Sequence, residues 1–302
     1  MKHLLSIEEL APQELQQLVD RAVNMKTRRG NEEDLALKGQ TWAMIFTKAS
    51  TRTRVSFEVG IRELGGGAMF LTSNDIQLGR GEPIKDTARV LGRMVHGVII
   101  RTFDQQDVMD FAKYGQIPTI NALTDAEHPC QILADLLTVR ERLGQWQGKK
   151  MVFVGDGYSN MSISWMWAAK HFGIELVVAG PEAYLPPKDF LEKLDAPTVS
   201  ATTDVVSAVE GAHVIHTDVW LSMGQEGQEE KEAQFGGFQV NAELLKHADE
   251  DHIVLHCLPA YRGKEITEEV LEGHAEVIFQ QAENRLHAQK AVLATLAESW
   301  AV

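Results

Sequence analysis

The sequence predicts an α/β protein of two domains, each a parallel β-sheet flanked by helices, with interdomain helices joining them. Short apolar runs alternate with amphipathic helical stretches along the whole chain, and this alternation falls into two blocks separated by a helical segment. The chain has 302 residues, which suits two domains on a scale of roughly 100–200 residues each. Strands separated by helices at this spacing form parallel sheets through right-handed crossovers.

Taken in order, the chain opens with a capping box from Ser6 to Glu9, then Pro12 and an amphipathic run to Met25. First-half strands are expected at 41–47, 67–71, 97–101 and 117–121, with helices at 54–64, 84–95 and 105–114 between them. A helix from Pro129 to about Leu143 separates the halves, and GQWQGKK (144–150) reads as the joint. Second-half strands are expected at 150–154, 174–179, 213–217, 253–257 and 276–279. A last helix at about 284–299 is placed to pack back on the first domain. The expected domains are therefore 1–143 with 284–302, and 144–283.

Hydrophobic residues make up 44% and charged residues 24%, ordinary for a soluble globular protein. The net charge of −14 argues against non-specific binding to nucleic acid or an anionic membrane, both of which need a basic footprint. An anionic ligand must then be captured by local positive groups against the overall field. MKHLLSIEEL has no sustained apolar core of the signal-peptide kind, and no apolar run approaches about 18 residues. Two cysteines, Cys130 and Cys257, lie far apart, so neither a disulfide framework nor a zinc site is expected, and a cytoplasmic location is.

Ligands of open α/β sheets bind beyond the carboxyl ends of the strands. Four such places carry unusual chemistry. After the run Thr41 to Phe46 come Lys48, Ser50, Thr51, Arg52, Thr53 and Arg54, just before a helical pattern. Hydroxyls, two guanidiniums and free N–H groups at a helix N-terminus are what a phosphate-type anion requires; the alternative is a solvated basic turn. His128-Pro129-Cys130-Gln131 is the second place, with Pro129 fitting the first helical position. His128 and Gln131 can address one ligand there, or His128 can serve only as a cap, and Cys130 reads as a packing thiol. The third is Asp218 to Gly224, with an acid at a strand end that could pair with an amino group. The following GQEGQEEKEAQFGGF reads equally as a disordered excursion or a lid over residues 221–238. The fourth is His256-Cys257-Leu258-Pro259, where Cys257 is a nucleophile or, at least as readily, a packing or substrate-contact thiol. Gly155 and Gly157 match two glycines of a dinucleotide fingerprint, but Asn160 stands at the third, so Asn160 reads better as a polar group in a substrate pocket.

Through these residues the whole chain resembles the aspartate/ornithine carbamoyltransferase family, in its ornithine branch. The family's carbamoyl-phosphate motif appears as Ser50-Thr51-Arg52-Thr53-Arg54, its HPCQ motif as His128 to Gln131, its DxxxSMG motif as Asp218 to Gly224, and its HCLP motif as His256 to Pro259. The stretch 79–93 resembles the family's loop and helix before the strand that ends at Arg101. Aspartate-specific relatives resemble HPTQ and HPLP where this chain has HPCQ and HCLP, and they lack SMG. Variants for N-acetylornithine or putrescine usually depart from STRTR or SMG.

The resemblance implies carbamoyl transfer from carbamoyl phosphate to L-ornithine, with aspartate, N-acetylornithine or putrescine as the alternative acceptors. It implies that Ser50, Thr51, Arg52 and Thr53 hold the phosphate. Arg101, His128 and Gln131 would address the carbamoyl group, Arg285 would reach the same anion, and Gln77 would enter a neighbouring subunit's site. Asn160, Asp218, Ser222 and Met223 would hold the α-amino and α-carboxylate ends of ornithine, while Cys257 and the Leu258 carbonyl guide its δ-amine. A homotrimer or a multiple of trimers is implied, with no metal or organic cofactor. Readings of another class are a nicotinamide oxidoreductase and a non-catalytic anion sensor.

Overall fold

The computed structural model describes residues 1–30, 35–72, 81–221 and 229–300. Gln77, Ser222, Met223 and the first part of the 221–238 stretch lie outside the described residues. The chain divides into two compact units, Met1–Ala134 with Glu283–Val302, and Asp135–Ala282. The divisions fall within the helices α5 (Pro129–Leu143) and α12 (Ala275–Trp300), so each helix contributes residues to both units.

The first unit is built on four parallel strands, β1 (Thr41–Phe46), β2 (Gly67–Thr72), β3 (Gly97–Arg101) and β4 (Thr119–Leu123), in the order β2-β1-β3-β4. Central β1 and β3 are buried almost throughout, as continuous apolar strands in a helix-covered sheet must be. Between strands come α2 (Thr51–Glu63), α3 (Ile84–Leu91) and α4 (Gln105–Gly115), with α1 (Pro12–Thr27) preceding the sheet. The core under the sheet includes Ala43, Ile45, Val98, Ile100, Val108 and Phe111. Register decides one unusual glycine. Trp42 pairs with Gly97, and a Cβ on Gly97 would lie 2.5 Å from the Trp42 ring.

The second unit holds five parallel strands, β5 (Lys150–Val154), β6 (Glu175–Ala179), β7 (Val199–Thr202), β8 (Val214–Thr217) and β9 (Ile253–His256), ordered β7-β6-β5-β8-β9. Helix α6 (Asn160–Phe172) follows β5, α7 (Lys188–Leu194) and α8 (Val205–Val209) flank β7, α9 (Glu229–Ala233) and α10 (Ala242–Leu245) lie between β8 and β9, and α11 (Glu268–Gly273) follows β9. Val152, Val154, Ile215, Val254 and Ile278 are among the residues of its core. In both sheets the strand order reverses direction next to the first strand laid down, between β1 and β3 and between β5 and β8. Such switch points open a crevice at the carboxyl ends, where a ligand can reach backbone N–H groups.

Several elements differ from expectation, each for a readable reason. The strand expected at 276–279 is instead the start of α12. A short apolar run such as Val277-Ile278-Phe279 suits either period, and here Ile278 is buried while Phe279 is 53% exposed. Strand β7 has no apolar alternation to announce it, because it is a partly exposed edge. Strand β4 starts at Thr119, two residues late, because Pro118 has no N–H for the ladder and offers only its carbonyl, to Val98. The Ser6–Glu9 box closes a single turn, with Ser6 Oγ accepting from Glu9 N–H. The helix begins later at Pro12, where Glu14 reaches back to Ala11 N–H.

Gly97→Ala is expected to lower stability by about 1–3 kcal/mol, the usual effect of forcing an extra carbon into a packed core. The change in chemical-denaturation midpoint at unaltered m-value measures it.

Candidate active site

In the first unit, β1 delivers the chain to the N-terminus of α2. Ser50 is the N-cap, with φ −164 and ψ 114, and its hydroxyl accepts from Thr53 N–H at 3.2 Å. The helix therefore starts at Thr51 rather than 54, and Thr51, Arg52 and Thr53 form its first turn. Apolar periodicity alone could not place that start, since it begins only at Val55. The first turn thus combines the N–H groups of Thr51 and Arg52, the threonine hydroxyls and the positive end of the helix dipole, while the Thr53 N–H is taken up by the cap. Arg52 is half-buried and makes no ion pair among the described residues. Arg54 is turned elsewhere, stacked 3.9 Å over the Phe70 ring and 3.5 Å from Glu58. Lys48, buried, pairs with Asp125 and lies 4.1 Å from the Phe103 ring centroid. Beside this turn is a cavity of about 510 Å³, lined in part by Lys48, Ser50, Thr51 and Arg54.

Arg285, on α12, draws three of the expected residues together. Its guanidinium donates to Gln131 Oε1 at 2.7 Å and Thr53 Oγ1 at 3.2 Å, and approaches His128 Nε2 at 3.5 Å. All four side chains are buried. Burial first, then the charges of Arg285 and Arg101, hold the His128 imidazole well below the usual histidine range. It is therefore a neutral donor and acceptor at neutral pH. Arg101 ends β3, where the register against β4 shifts between Ile100 and Arg101. Such an irregularity turns the final side chain. Cys130, by contrast, is fully buried, with its thiol pushed up to about 12 by that burial, and it donates to Asn121 O. It is a packing residue.

The second unit carries the other set. Gly157 is required by packing, since a Cβ there would sit 2.7 Å from Val178 Cγ1. That requirement accounts for a glycine resembling a nucleotide fingerprint. Asn160 is the first residue of α6, whose N-cap Ser159 accepts from Ser162 N–H. Asp218 follows β8, and its Oδ1 accepts from Val219 N–H at 2.8 Å and from the Cys257 thiol at 3.0 Å. Two motifs far apart in sequence thus meet side by side. Leu258 takes φ +58, a conformation a leucine adopts only under constraint, and the Leu258–Pro259 bond is cis.

His256 supplies the constraint. Its Nδ1 accepts from Leu258 N–H at 2.9 Å and its Nε2 faces Glu265 Oε1 at 3.1 Å. Asp218, His256 and Cys257 bring potential metal-ligand atoms within 4.8 Å of one another. Both imidazole nitrogens are already committed to those hydrogen bonds, so the set does not fit a metal without breaking them. Lys231 on α9 pairs with Asp156 at 2.7 Å, fastening that helix to the turn after β5. No sequence signal marked Asp125, Glu265 or Lys231, which arrive from distant segments. Asp135 did have one, a lone carboxylate in the apolar run of α5.

Residues 2–141 match the carbamoyl-P binding domain of aspartate/ornithine carbamoyltransferase, and residues 147–296 match its Asp/Orn binding domain. The chain is 64% identical over 302 residues to the ornithine carbamoyltransferase of Akkermansia muciniphila, covering 99% of each. It is 50% identical to that of Pelobacter propionicus, covering 98% of each. Its fold is similar to the Pyrococcus furiosus ornithine carbamoyltransferase, with TM-score 0.93, 46% identity, and coverage of 98% of this chain and 97% of that one. The anabolic enzyme of Campylobacter jejuni gives TM-score 0.92 at 42% identity, with 99% and 100% coverage. The chain belongs to the aspartate/ornithine carbamoyltransferase family, and it is a carbamoyltransferase. Among the described residues, no helix is long and apolar enough to cross a membrane.

Burial raises the Asp218 carboxyl above the ordinary aspartate range, against the opposing pull of His256, the Cys257 thiol and Val219 N–H. The folded state then holds this proton more tightly than the unfolded chain does. Ionising it therefore lowers stability; the loss is absent below the unfolded pKa and complete above the raised one. Asp218→Asn keeps an acceptor oxygen and removes the charge. Its Tm is expected to exceed the parent's near neutral pH, with the gain vanishing as pH falls below the ordinary aspartate value. Thermal scans across that range check it, and a lower Tm at neutral pH contradicts it.

Proposed function

We propose that this chain transfers the carbamoyl group of carbamoyl phosphate to the δ-amine of L-ornithine, giving L-citrulline and phosphate. The observation that carries the reading is the N-terminus of α2, a capped first turn that carries Arg52 and takes the Arg285 guanidinium on Thr53 Oγ1. Family membership supports it, as does the ornithine-type set HPCQ, SMG and HCLP in place of the aspartate-type one.

Each unit holds one substrate. Ser50, Thr51, Arg52 and Thr53 take the phosphate through hydroxyls, the free guanidinium and N–H groups. Arg101, His128 and Gln131 address the carbamoyl group, with Arg285 on the same anion. Asn160 and Asp218 take the amino-acid end of ornithine, and Cys257 with the Leu258 carbonyl guides its δ-amine. The neutral amine attacks the carbamoyl carbon, and the oxygen becomes anionic at the tetrahedral centre. Thr53, Arg101 and the neutral His128 donate to that oxygen, and each well-placed donor is worth about 2.7–4 kcal/mol. The C–O bond to phosphate then breaks, the departing phosphate accepts the proton that the amine nitrogen sheds, and Arg52 with the helix dipole takes up the growing charge. Holding both reactants in place supplies much of the remaining acceleration. A trimer or multiple of trimers working in the cytoplasm completes the proposal; it rests on likeness to the family.

Citrulline formation from carbamoyl phosphate, with ornithine, N-acetylornithine, putrescine and aspartate as parallel acceptors, tests the function. Turnover with ornithine alone supports it, and turnover only with another amine overturns the substrate assignment. Arg52→Ala is expected to lower turnover by about 10²–10³-fold, as for loss of a charge contact made in the transition state. Steady-state kinetics decide, and near-parent turnover would remove Arg52 from the mechanism.

A further inference from the structure

Strand β9 lies at the edge of its sheet, paired with β8 and with no other strand among the described residues. N–H groups directed outward from such an edge need partners from outside the ladder. At His256, the last residue of β9, the partner is Gln281, whose Oε1 accepts the His256 N–H at 2.9 Å. Gln281 Nε2 in turn donates to Asp135 Oδ1 at 2.7 Å. Gln281 and Asp135 are 0% exposed and His256 is 1%.

The two ends of a carboxamide have opposite requirements. Asp135 Oδ1 accepts from the NH₂ end of Gln281, which leaves the carboxamide oxygen for His256 N–H. Linked hydrogen bonds polarise one another, so the contact with Asp135 strengthens the bond to His256. His256 is then anchored at both ends, its N–H by Gln281 and its ring by Leu258 N–H and Glu265. The residues so bracketed are Cys257 and Leu258. Neither Asp135 nor Gln281 belongs to any of the four sequence motifs.

We propose that Gln281, oriented by Asp135, is a positioning residue for carbamoyl transfer. It fixes where β9 ends, and so where Cys257 Sγ stands against Asp218 and where the Leu258 carbonyl meets the amine. This rests on the reading of Cys257 and Leu258 given under the proposed function. Without Gln281, the His256 N–H loses its buried acceptor and the end of β9 shifts to find another. A displacement of about 1 Å suffices to cost roughly 10²-fold in rate.

Gln281→Met, similar in length but without either hydrogen bond, is the direct test, with Asp135→Leu as a second way to break the same link. Asp135→Asn keeps an acceptor oxygen for Gln281 and serves as the conservative rescue. The expected result is a fall of roughly 10²-fold in kcat/KM for ornithine in the first two variants. Carbamoyl-phosphate affinity by calorimetry should stay at the parent value, and Asp135→Asn should stay close to the parent throughout. Alkylation of Cys257 by iodoacetamide should change in rate and pH midpoint, because the thiol leaves Asp218. Buried Cys130, its thiol pushed up to about 12, does not compete for the reagent.

Parent-like ornithine kinetics and parent-like alkylation in Gln281→Met would overturn the proposal. So would equal losses for both substrates together with a lowered Tm, which mark a purely structural residue. If Gln281→Met does not fold, Asp135→Leu against Asp135→Asn decides by the same readouts. Absence of citrulline from the parent protein would instead overturn the functional reading, and the alkylation contrast still tests the positioning.

Discussion

The buried guanidinium of Arg285 is the contact around which the anion half-site is organised. A charge taken out of water costs several kcal/mol unless hydrogen bonds compensate it. Arg285 meets that demand by dividing its fork among Thr53 in the first turn of α2, Gln131 in the first turn of α5 and the His128 ring. Each of these is a residue that an anionic ligand would also address. The side chain therefore links two helix N-termini and sets the protonation of the histidine between them. His128 is neutral because it is buried beside Arg285 and Arg101, and a neutral imidazole suits a site that must attract negative charge without adding an acid.

Sheet topology explains why the remaining groups converge. The nine strands among the described residues run parallel within their sheets, so every one of them in a unit ends on the same side. The order reverses between β1 and β3 in one unit and between β5 and β8 in the other, which places the following turns beside an open crevice. Ser50 to Thr53 and Arg101 follow the first pair. Asn160 and Asp218 follow the second, and Cys257 comes one strand further along. A carboxylate raised by burial and a leucine at φ +58 are kept where substrate chemistry is expected. Stability is given up locally and supported from behind by His256, Glu265, Gln281 and Asp135.

Much of this was legible in the sequence, and the exceptions are instructive. Motif residues were found because they sit in turns after strands, where hydroxyls, guanidiniums and thiols have no packing reason to cluster. The extent of α5 was read correctly because Pro129 marks its start. The strand expected at 276–279 failed because three consecutive apolar residues, Val277 to Phe279, cannot distinguish a buried strand from the first turn of a long helix. The start of α2 was read three residues late because a cap, not apolar periodicity, defines it. Partners such as Asp125, Glu265 and Gln281 were invisible for a different reason. Each acts through individual polar contacts, and a single polar residue carries no periodic signal. Asp135 was passed over as well, although an acid inside an apolar helical run is a signal that could have found it.

The most direct test of the organising role of Arg285 is calorimetric titration of an unreactive phosphonate analogue of carbamoyl phosphate into Arg285→Met and the parent protein. Hydrogen bonds to a charged group are worth about 1.5–3 kcal/mol, so the account predicts a Kd weaker by roughly 10–100-fold. An unchanged Kd would contradict it, and would place the anion on the α2 N-terminus alone.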